Sequence, residues 1–272
     1  MKYIDSHAHY CHRQFKKDRA ELLEKLIHED VELILECGTN TASNDAAIQL
    51  SHAYNEVFAV VGISHGYGLE LASAGAVDKL KRQLADARVV GLGEIGLDYY
   101  RNFLDHATQQ KYFRMQLALA REAHLPVCIH SRDAQEDTLA ILAEFGPYHG
   151  VIHCFPYGMS AMEKLAELGY CFGVGGAATY PESETLREAI RHMPPDRIVL
   201  ETDAPYLSPE PVRRGRNDSG SLRYVIQTIS ELKMLSGEDV IRLTNDNVRR
   251  VYTRLPAKVS DSHRPCGGFE TA

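Results

Sequence analysis

A (β/α)8 barrel, the TIM-barrel architecture, is the fold class that this sequence predicts. Short runs rich in Val, Ile and Leu alternate with segments of helical periodicity along most of the chain. The apolar runs have the length of buried parallel strands, and several end in His, Glu or Asp. In a barrel the carboxyl ends of all strands meet at one mouth, so such residues can converge there. An open, doubly wound sheet would give a similar alternation but would spread them along a line.

The strands are predicted where apolar, β-branched runs end in turn-forming or polar residues. In chain order the runs are YID (3–5), VELILEC (31–37), VFAVVGI (57–63), RVVGLGEI (88–95), LPVCIH (125–130), GVIHCF (150–155), YCFGVG (170–175) and RIVLETD (197–203).

The helices are predicted between these runs, where apolar residues recur at helical spacing. Leu22, Leu23, Leu26 and Ile27 lie on one face of the first. The predicted segments are 19–28, 41–54, 76–85, 106–124, 134–145, 160–168 and 183–192, followed by two more at 222–235 and 239–252.

The whole of residues 1–255 is expected to form one domain. A chain of 272 residues with 44% hydrophobic residues can hold one barrel or two smaller domains, and the even spread of the motifs favours one. Residues 256–272 are polar and rich in turn formers, and we expect them to be a disordered tail outside the domain.

Charge and hydropathy predict a soluble, cytoplasmic protein that does not enter membranes. No stretch approaches the roughly 20 apolar residues that a membrane span needs, and the amino terminus lacks the pattern of a signal peptide. The net charge of −7 argues against a broad nucleic-acid surface but allows a local basic loop.

His7 and His9 are the first candidate metal ligands. Residues two apart on a strand point the same way, so the two imidazoles can chelate one ion. An HxH pair alone is weak support, because histidines also occur at strand ends for structural reasons. The signal strengthens because His130, His153 and Asp203 end other apolar runs. Imidazole and carboxylate ligands suit Zn²⁺, Mn²⁺, Mg²⁺ or Fe²⁺.

Glu94 lies in an otherwise apolar run, where an unpaired carboxylate would cost several kcal/mol. A salt bridge to a buried Lys or Arg is the alternative, but the apolar runs carry such a residue only at their first position, at Arg88 and Arg197. One carboxylate can bridge two ions, which predicts a binuclear site suited to displacement at phosphorus. In that hydrolysis Asp203 would accept the proton of the attacking water.

A basic loop, PVRRGRND, follows Asp203 and is expected to overhang the mouth. A solvated charge run is the simpler interpretation, but guanidinium groups in this position match phosphate oxygens, and we favour phosphate binding. Arg213, Arg216 and Asn217 are therefore predicted to bind substrate. His65, after the third strand, is predicted to face the mouth and to bind substrate as well.

The motifs DSHAHY, GEIGLDYY, HSRDA, HCF and ETDAPYLSP, in this order, resemble those of the TatD family of metal-dependent deoxyribonucleases, within the amidohydrolase-type barrel superfamily. The resemblance covers about residues 3–254. It implies a DNA phosphodiesterase, often a 3′ to 5′ exonuclease, with single-stranded DNA as the favoured substrate and RNA as a substrate of some relatives. It also implies two divalent ions, one held by His7, His9, Glu94 and Asp203 and the other by Glu94, His130 and His153.

The chain departs from the family pattern at two places. The family's Gly-x-His-Pro after the third strand is GISHG here, which keeps His65 and loses the proline. The family's Arg-Gly-Lys-Arg-Asn loop is Arg213, Arg214, Gly215, Arg216 and Asn217 here. Both differences concern substrate handling and leave the predicted metal ligands intact.

Two other functions remain open at this stage. The same barrel and ions could hydrolyse an amide, ester or lactone, because the fold and metal set do not fix the leaving group. The barrel could also be a subunit of a multiprotein nucleic-acid-processing assembly, with a protein partner. Such a subunit is expected to have lost ligands, and this chain keeps all six.

Overall fold

Eight parallel strands form the centre of the protein in the computed structural model, which describes residues 1–257. The strands pair in chain order, each with the next. They are β1 (Tyr3–Ala8), β2 (Val31–Cys37), β3 (Val57–Val61), β4 (Val89–Asp98), β5 (Val127–Arg132), β6 (Gly150–Ile152), β7 (Tyr170–Val174) and β8 (Ile198–Leu200).

The sheet closes between its first and last strands. Ala8, at the end of β1, forms a parallel bridge with Ala204, just beyond β8. The His9 amide donates to the Ala204 carbonyl at 2.8 Å, and the Asp203 amide donates to the His7 carbonyl at 3.0 Å. The predicted (β/α)8 barrel is therefore confirmed, and the open sheet is excluded.

The helices surround the barrel and lie close to their predicted positions. They are α1 (Arg19–Glu29), α2 (Thr41–Ala53), α3 (Ala74–Leu84), α4 (His106–Ala123), α5 (Gln135–Phe145), α6 (Met159–Glu167), α7 (Glu184–His192), α8 (Leu222–Lys233) and α9 (Gly237–Val251). Helix α3 begins two residues before the predicted start because the Ser73 side chain accepts from the Ala76 amide as an N-cap. Helix α8 ends early because Met234 adopts a left-handed conformation, with φ 54°.

Three strands end at least two residues earlier than predicted. Strands β3, β6 and β8 stop two or three residues before their apolar runs do. After β6 and β8 the chain turns through residues with positive φ, Cys154 at 44° and Asp203 at 57°. His153 and Asp203 therefore lie in the loops that begin at the barrel mouth, not within the strands.

At the end of the barrel opposite the mouth, the interior is apolar and α9 packs across it. Val248, Val251 and Tyr252 join an interior cluster with residues from the strands, such as Val60 and Val151. Helix α9 also makes polar contacts with the strands at this end.

Two asparagines of α9 connect the first and last strands of the barrel. Asn245 accepts from the Ile4 amide at 2.9 Å, and Asn247 donates to the Ile198 carbonyl at 2.8 Å. Helix α9 thus ties β1 to β8 at the end of the barrel opposite the mouth.

The predicted tail, 256–272, lies outside the described residues from position 258 onward. Within residues 1–257, no helix is both long and apolar enough to cross a membrane.

Candidate metal centre

The six predicted ligands converge at the mouth of the barrel. The Nε2 atoms of His7 and His9 are 3.1 Å apart, and Glu94 Oε2 lies 3.6 Å from each of them. Asp203 Oδ1 lies 3.3 Å from His9 Nε2 and 3.8 Å from His7 Nε2. Barrel closure thus brings residues from both ends of the chain around one small volume.

Glu94 faces a second set of histidines with its other oxygen. Its Oε1 lies 3.0 Å from His130 Nδ1. His153 stacks on His7 with ring centroids 3.5 Å apart, and its Nε2 lies 3.7 Å from Asp203 Oδ1. Glu94, His130 and His153 form one ligand group that could hold an ion, and Glu94 with His7 and His9 forms another. A carboxylate placed between two such groups has the arrangement of a bridging ligand.

The hydrogen bonds of the first two histidines test whether a cation fits. His9 Nδ1 lies 2.8 Å from the Cys37 carbonyl, which can only accept, so Nδ1 carries the proton and Nε2 presents a lone pair. His7 Nδ1 contacts Cys128 Sγ at 3.2 Å, so its Nε2 is also turned toward the cluster. Two imidazole nitrogens and two carboxylate oxygens facing one another repel unless a cation or protons lie among them. The donor set therefore fits a divalent ion.

Protons take the place of a cation in the metal-free protein. Burial lowers the pKa of His7, but Cys128 and Glu94 outweigh burial and raise it to about 10. Burial would raise the pKa of Glu94, but hydrogen bonds from His130 and His7 hold it well below its usual range. Metal binding at this cluster would therefore release protons.

Each of the four histidines has a second partner that orients its ring, as ligating histidines usually do. Cys128 and the Cys37 carbonyl are the partners of His7 and His9. His130 Nε2 lies 3.1 Å from Asp98 Oδ2. His153 Nδ1 lies 3.0 Å from Glu201 Oε1 in an ion-pair contact, without a hydrogen bond. No local sequence pattern revealed the cysteine contacts.

Gly173 on β7 makes room for the buried Glu201 carboxylate. A Cβ at this position would lie 2.0 Å from Glu201 Oε2. Any larger residue would displace Glu201 from His153, so this glycine belongs to the support of the site.

A cleft of about 1370 Å³ opens above the cluster. Three guanidinium groups line it, and its carboxylates, Glu36, Glu94 and Asp203, all follow or lie on strands at its base. The arginines are Arg13, Arg101 and Arg132, and the aromatic residues Tyr67, Phe103 and Tyr206 line the same cleft. The mouth therefore has cationic walls although the whole chain carries a net charge of −7.

His65 lines this cleft, where the sequence analysis expects it. Its ring stacks on His130 with centroids 4.8 Å apart, and its Nε2 lies 3.5 Å from Asp98 Oδ2. Burial and the neighbouring His130 lower the pKa of His65 to about 4, so the ring is neutral at neutral pH.

Arg213 and Arg216 are placed differently from the expectation of a phosphate clamp. Neither is among the residues that line the cleft. Arg213 pairs with Glu182 and also with Glu210 at 3.4 Å, while Arg216 pairs with Asp18 at 2.6 Å. Their charges are already balanced by carboxylates in this structure, which weakens the case for direct phosphate binding.

Asn217 is buried and supports the loop that carries Asp203. Its Nδ2 donates to the Thr202 carbonyl at 2.9 Å and to the Tyr206 carbonyl at 2.7 Å. These bonds hold the two ends of the Asp203 turn. The predicted contact of Asn217 with substrate has no support in this placement.

None of the cleft arginines and aromatic rings is among the substrate-binding residues predicted from the sequence. A signal for several of them was present, because they follow strands that carry candidate ligands. Arg13 comes shortly after His9, and Arg101 and Phe103 come shortly after Asp98. They were overlooked because they occur singly and form no motif.

Comparison with known proteins identifies the family. The profile of the family described as TatD related DNase matches residues 4–253. The chain belongs to this family. The resemblance to the TatD family that the motifs predicted is confirmed.

Two proteins of similar sequence and one solved structure illustrate the relatives within this family. An uncharacterized metal-dependent hydrolase of Bacillus subtilis (strain 168), YabD, is 32% identical over 92% of this chain and 98% of its own length. The 3′-5′ ssDNA/RNA exonuclease TatD of Pectobacterium atrosepticum is 32% identical over 88% of this chain and 95% of its own. The crystal structure of the TatD homologue YJJV from Escherichia coli K12 matches with a TM-score of 0.85 and 27% identity, over 93% of this chain and 98% of the other. The protein is thus a metal-dependent hydrolase of the TatD family.

Proposed function

We propose that this protein removes nucleotides from the 3′ end of single-stranded DNA or RNA by divalent-metal-dependent hydrolysis of phosphodiester bonds. The observation that carries the proposal is the position of Glu94, which faces histidines with both carboxylate oxygens at the base of a cleft with cationic walls. The name of the Pectobacterium relative, an exonuclease acting on ssDNA and RNA, supports the same activity.

Two divalent ions, Zn²⁺, Mn²⁺ or Mg²⁺, are the proposed cofactors. His7, His9, Glu94 and Asp203 would hold one, and Glu94, His130 and His153 the other. Such ions activate water and polarise the phosphodiester, which makes hydrolysis possible near neutral pH. The partners in Cys128, Cys37, Asp98 and Glu201 would keep the four imidazole rings aimed at the ions.

Asp203 is the proposed acceptor of the proton from the attacking water. Its φ of 57° turns the side chain from the end of β8 toward the cluster, and it lines the cleft. Contacts with His9, His153 and His7 outweigh burial and lower the pKa of Asp203, so the carboxylate is ionised at neutral pH, the form that a proton acceptor must have.

The cleft arginines are the proposed phosphate contacts. Arg13 and Arg101 line the cleft on the loops after β1 and β4, and Arg132 lines it at the end of β5. Guanidinium groups bind phosphate oxygens through paired hydrogen bonds. The proposed phosphate contacts are therefore these three arginines in place of Arg213 and Arg216.

The test is the release of nucleotides from single-stranded DNA labelled at its 3′ or 5′ end, with Mg²⁺, Mn²⁺ or Zn²⁺ added in turn and with EDTA as control. We expect metal-dependent loss of the 3′ label. Asp203→Asn should lower kcat by about 10²- to 10⁴-fold, the range of a lost general base, while the circular dichroism spectrum stays unchanged.

Asp246→Asn is the matched control, because Asp246 is an exposed carboxylate on α9 at the far end of the barrel. It should retain wild-type turnover. Wild-type turnover in Asp203→Asn would remove Asp203 from the mechanism, and failure to cleave with any metal would reject the nuclease activity.

A further inference from the structure

We propose that Phe103 and His65 form a subsite that binds the unpaired nucleobase next to the scissile phosphate by ring stacking. The inference rests on the proposed function and deepens it, because it names the group of the substrate that the cleft recognises. It concerns one wall of the cleft, which we call the aromatic shelf and define as His65, Tyr67, Arg101 and Phe103.

The exposure of Phe103 is the first observation. Its side chain is 65% exposed although it is a large apolar ring at the entrance of a polar cleft. Tyr67 on the same wall is 47% exposed. Exposed apolar rings gathered at one site usually mark a contact with a partner or ligand, since their hydration is unfavourable.

The orientation of the rings is the second observation. The planes of His65 and Phe103 are within 7° of parallel, with centroids 6.3 Å apart, and His65 stacks in turn on His130. A series of nearly parallel rings therefore leads from a candidate metal ligand to the rim. A base that stacks on this series would place its phosphate beside the metal cluster.

Gly66 helps to place the ring of Phe103. A Cβ at position 66 would lie 3.1 Å from the Phe103 ring, closer than ordinary packing contact. The ring lies against this glycine between His65 and Tyr67, and a larger residue would push it away from the shelf.

Charge makes a nucleotide the occupant that fits. Arg101 lies two residues before Phe103, and Arg132 ends the neighbouring strand β5 with its guanidinium 3.8 Å from the centre of the Tyr100 ring. Stacking rings beside guanidinium groups are the usual means by which proteins hold single strands without reading their sequence. A duplex end would not fit as well, because its bases are already stacked and paired.

The opposite wall is a weaker candidate. Tyr206 is exposed there, but its ring packs against His12 at 5.6 Å and its hydroxyl lies 3.4 Å from His12 Nε2. Tyr206 thus has partners within the protein, whereas the exposed surface of Phe103 is available to a base.

The experiment compares two oligonucleotides that differ only at the 3′-terminal residue, one with a normal base and one abasic. For the wild type we expect a KM about 10- to 100-fold higher with the abasic strand, the range that loss of one stacked base produces. Phe103→Ala should raise KM for the normal strand by a similar factor and have little further effect with the abasic strand. kcat should change much less.

Two further variants separate stacking from a structural effect. Phe103→Trp keeps a stacking ring and should retain a low KM for the normal strand. Leu69→Ala removes an exposed apolar side chain that follows the same wall but does not line the cleft, and it should behave as wild type. An equal rise of KM for both strands in Phe103→Ala, or no rise for either, would overturn the subsite.

A binding measurement keeps this inference distinct from the nuclease proposal. An oligonucleotide with 2-aminopurine at its 3′ end loses fluorescence when that base stacks. If the protein binds this strand with quenching that Phe103→Ala abolishes, the subsite stands even where no cleavage occurs with any metal. If no quenching occurs on binding, or if binding itself is absent, the subsite is rejected.

Discussion

The buried thiol of Cys128 occupies the position that a carboxylate or carbonyl usually takes behind a metal-binding histidine. Its Sγ lies 3.2 Å from His7 Nδ1, and Cys37 Sγ lies 3.4 Å from the same nitrogen. The hydrogen bond from Cys37 and the charge of His7 outweigh burial and lower the pKa of Cys128. Cys128 is therefore a strong acceptor for the Nδ1 proton, which leaves Nε2 of His7 directed at the cluster.

Replacement of Cys128 by valine tests this role. Valine fills a similar volume but cannot accept a hydrogen bond, so the ring of His7 loses its orienting partner. We expect affinity for Mn²⁺ or Zn²⁺ to fall by about 10- to 100-fold, the usual cost of such a loss. Isothermal titration calorimetry on the metal-free proteins measures this change.

Cys171→Val is the control for this substitution. Cys171 is buried on β7 in the same interior cluster, but its recorded polar contact is with Arg250 and not with a candidate ligand. It should leave metal affinity unchanged. Equal affinities in Cys128→Val and Cys171→Val would show that the thiol only fills space.

The six candidate ligands could be predicted because each lies in or at the end of an apolar run, and parallel strands fix where their ends point. The residues that orient these ligands could not be predicted. Cys37, Cys128 and His7 meet only because β2, β5 and β1 face a common interior, and no local pattern records that distance. Arg213 looked available in the sequence because its partner Glu182 lies 31 positions away.

Strand β4 carries two functional carboxylates, Glu94 and Asp98, and the residue midway between them is Gly96. It has a φ of 135°, and a Cβ there would lie 2.0 Å from the His130 carbonyl oxygen on β5. The absence of a side chain at this position allows β4 and β5 to approach closely. That approach sets the separation of Glu94 from His130.

Gly96→Ala should therefore destabilise the protein by about 3 kcal/mol or more, since it combines an unfavourable φ with a backbone clash. Urea unfolding followed by circular dichroism gives the change. Gly146→Ala is the comparison, because Gly146 also has a positive φ, 83°, but no atom lies within 4 Å of its added Cβ. That variant should lose only about 1 to 2 kcal/mol from strain. An equal loss in the two variants would contradict the close approach.

The order and type of the elements were predictable, but the ends of several strands were not. Apolar patterning continues through GVIHCF and RIVLETD, so it could not reveal that β6 and β8 end at Ile152 and Leu200. The turn at each place depends on positive φ at Cys154 and Asp203, residues that carry no intrinsic preference strong enough to announce it. The loops that hold function are thus the part of the fold that depends most on tertiary contacts.

At the scale of the whole molecule, the metal cluster is a cross-link between distant parts of the chain. Its candidate ligands come from β1 and the residue after it, from β4 and β5, and from the loops after β6 and β8, and barrel closure depends on the pairing of Ala8 with Ala204 beside them. Ions bound by these side chains would hold the first and last strands together from above, as α9 does from below. Folding and metal binding should consequently be coupled.

Divalent metal should raise the melting temperature of the protein for this reason. An ion at 100 times its Kd, bound only by the folded state, stabilises it by about 2.7 kcal/mol, which for a domain of this size corresponds to roughly 5–10 °C. Differential scanning fluorimetry with EDTA and with Mn²⁺ or Zn²⁺ measures the shift. Glu94→Gln should abolish most of it, because it removes the carboxylate that faces both histidine groups, whereas Asp246→Asn should keep the full shift. Comparing the shift within each variant removes any effect of the substitution on the metal-free fold, so a full shift in Glu94→Gln would place the bound ions elsewhere.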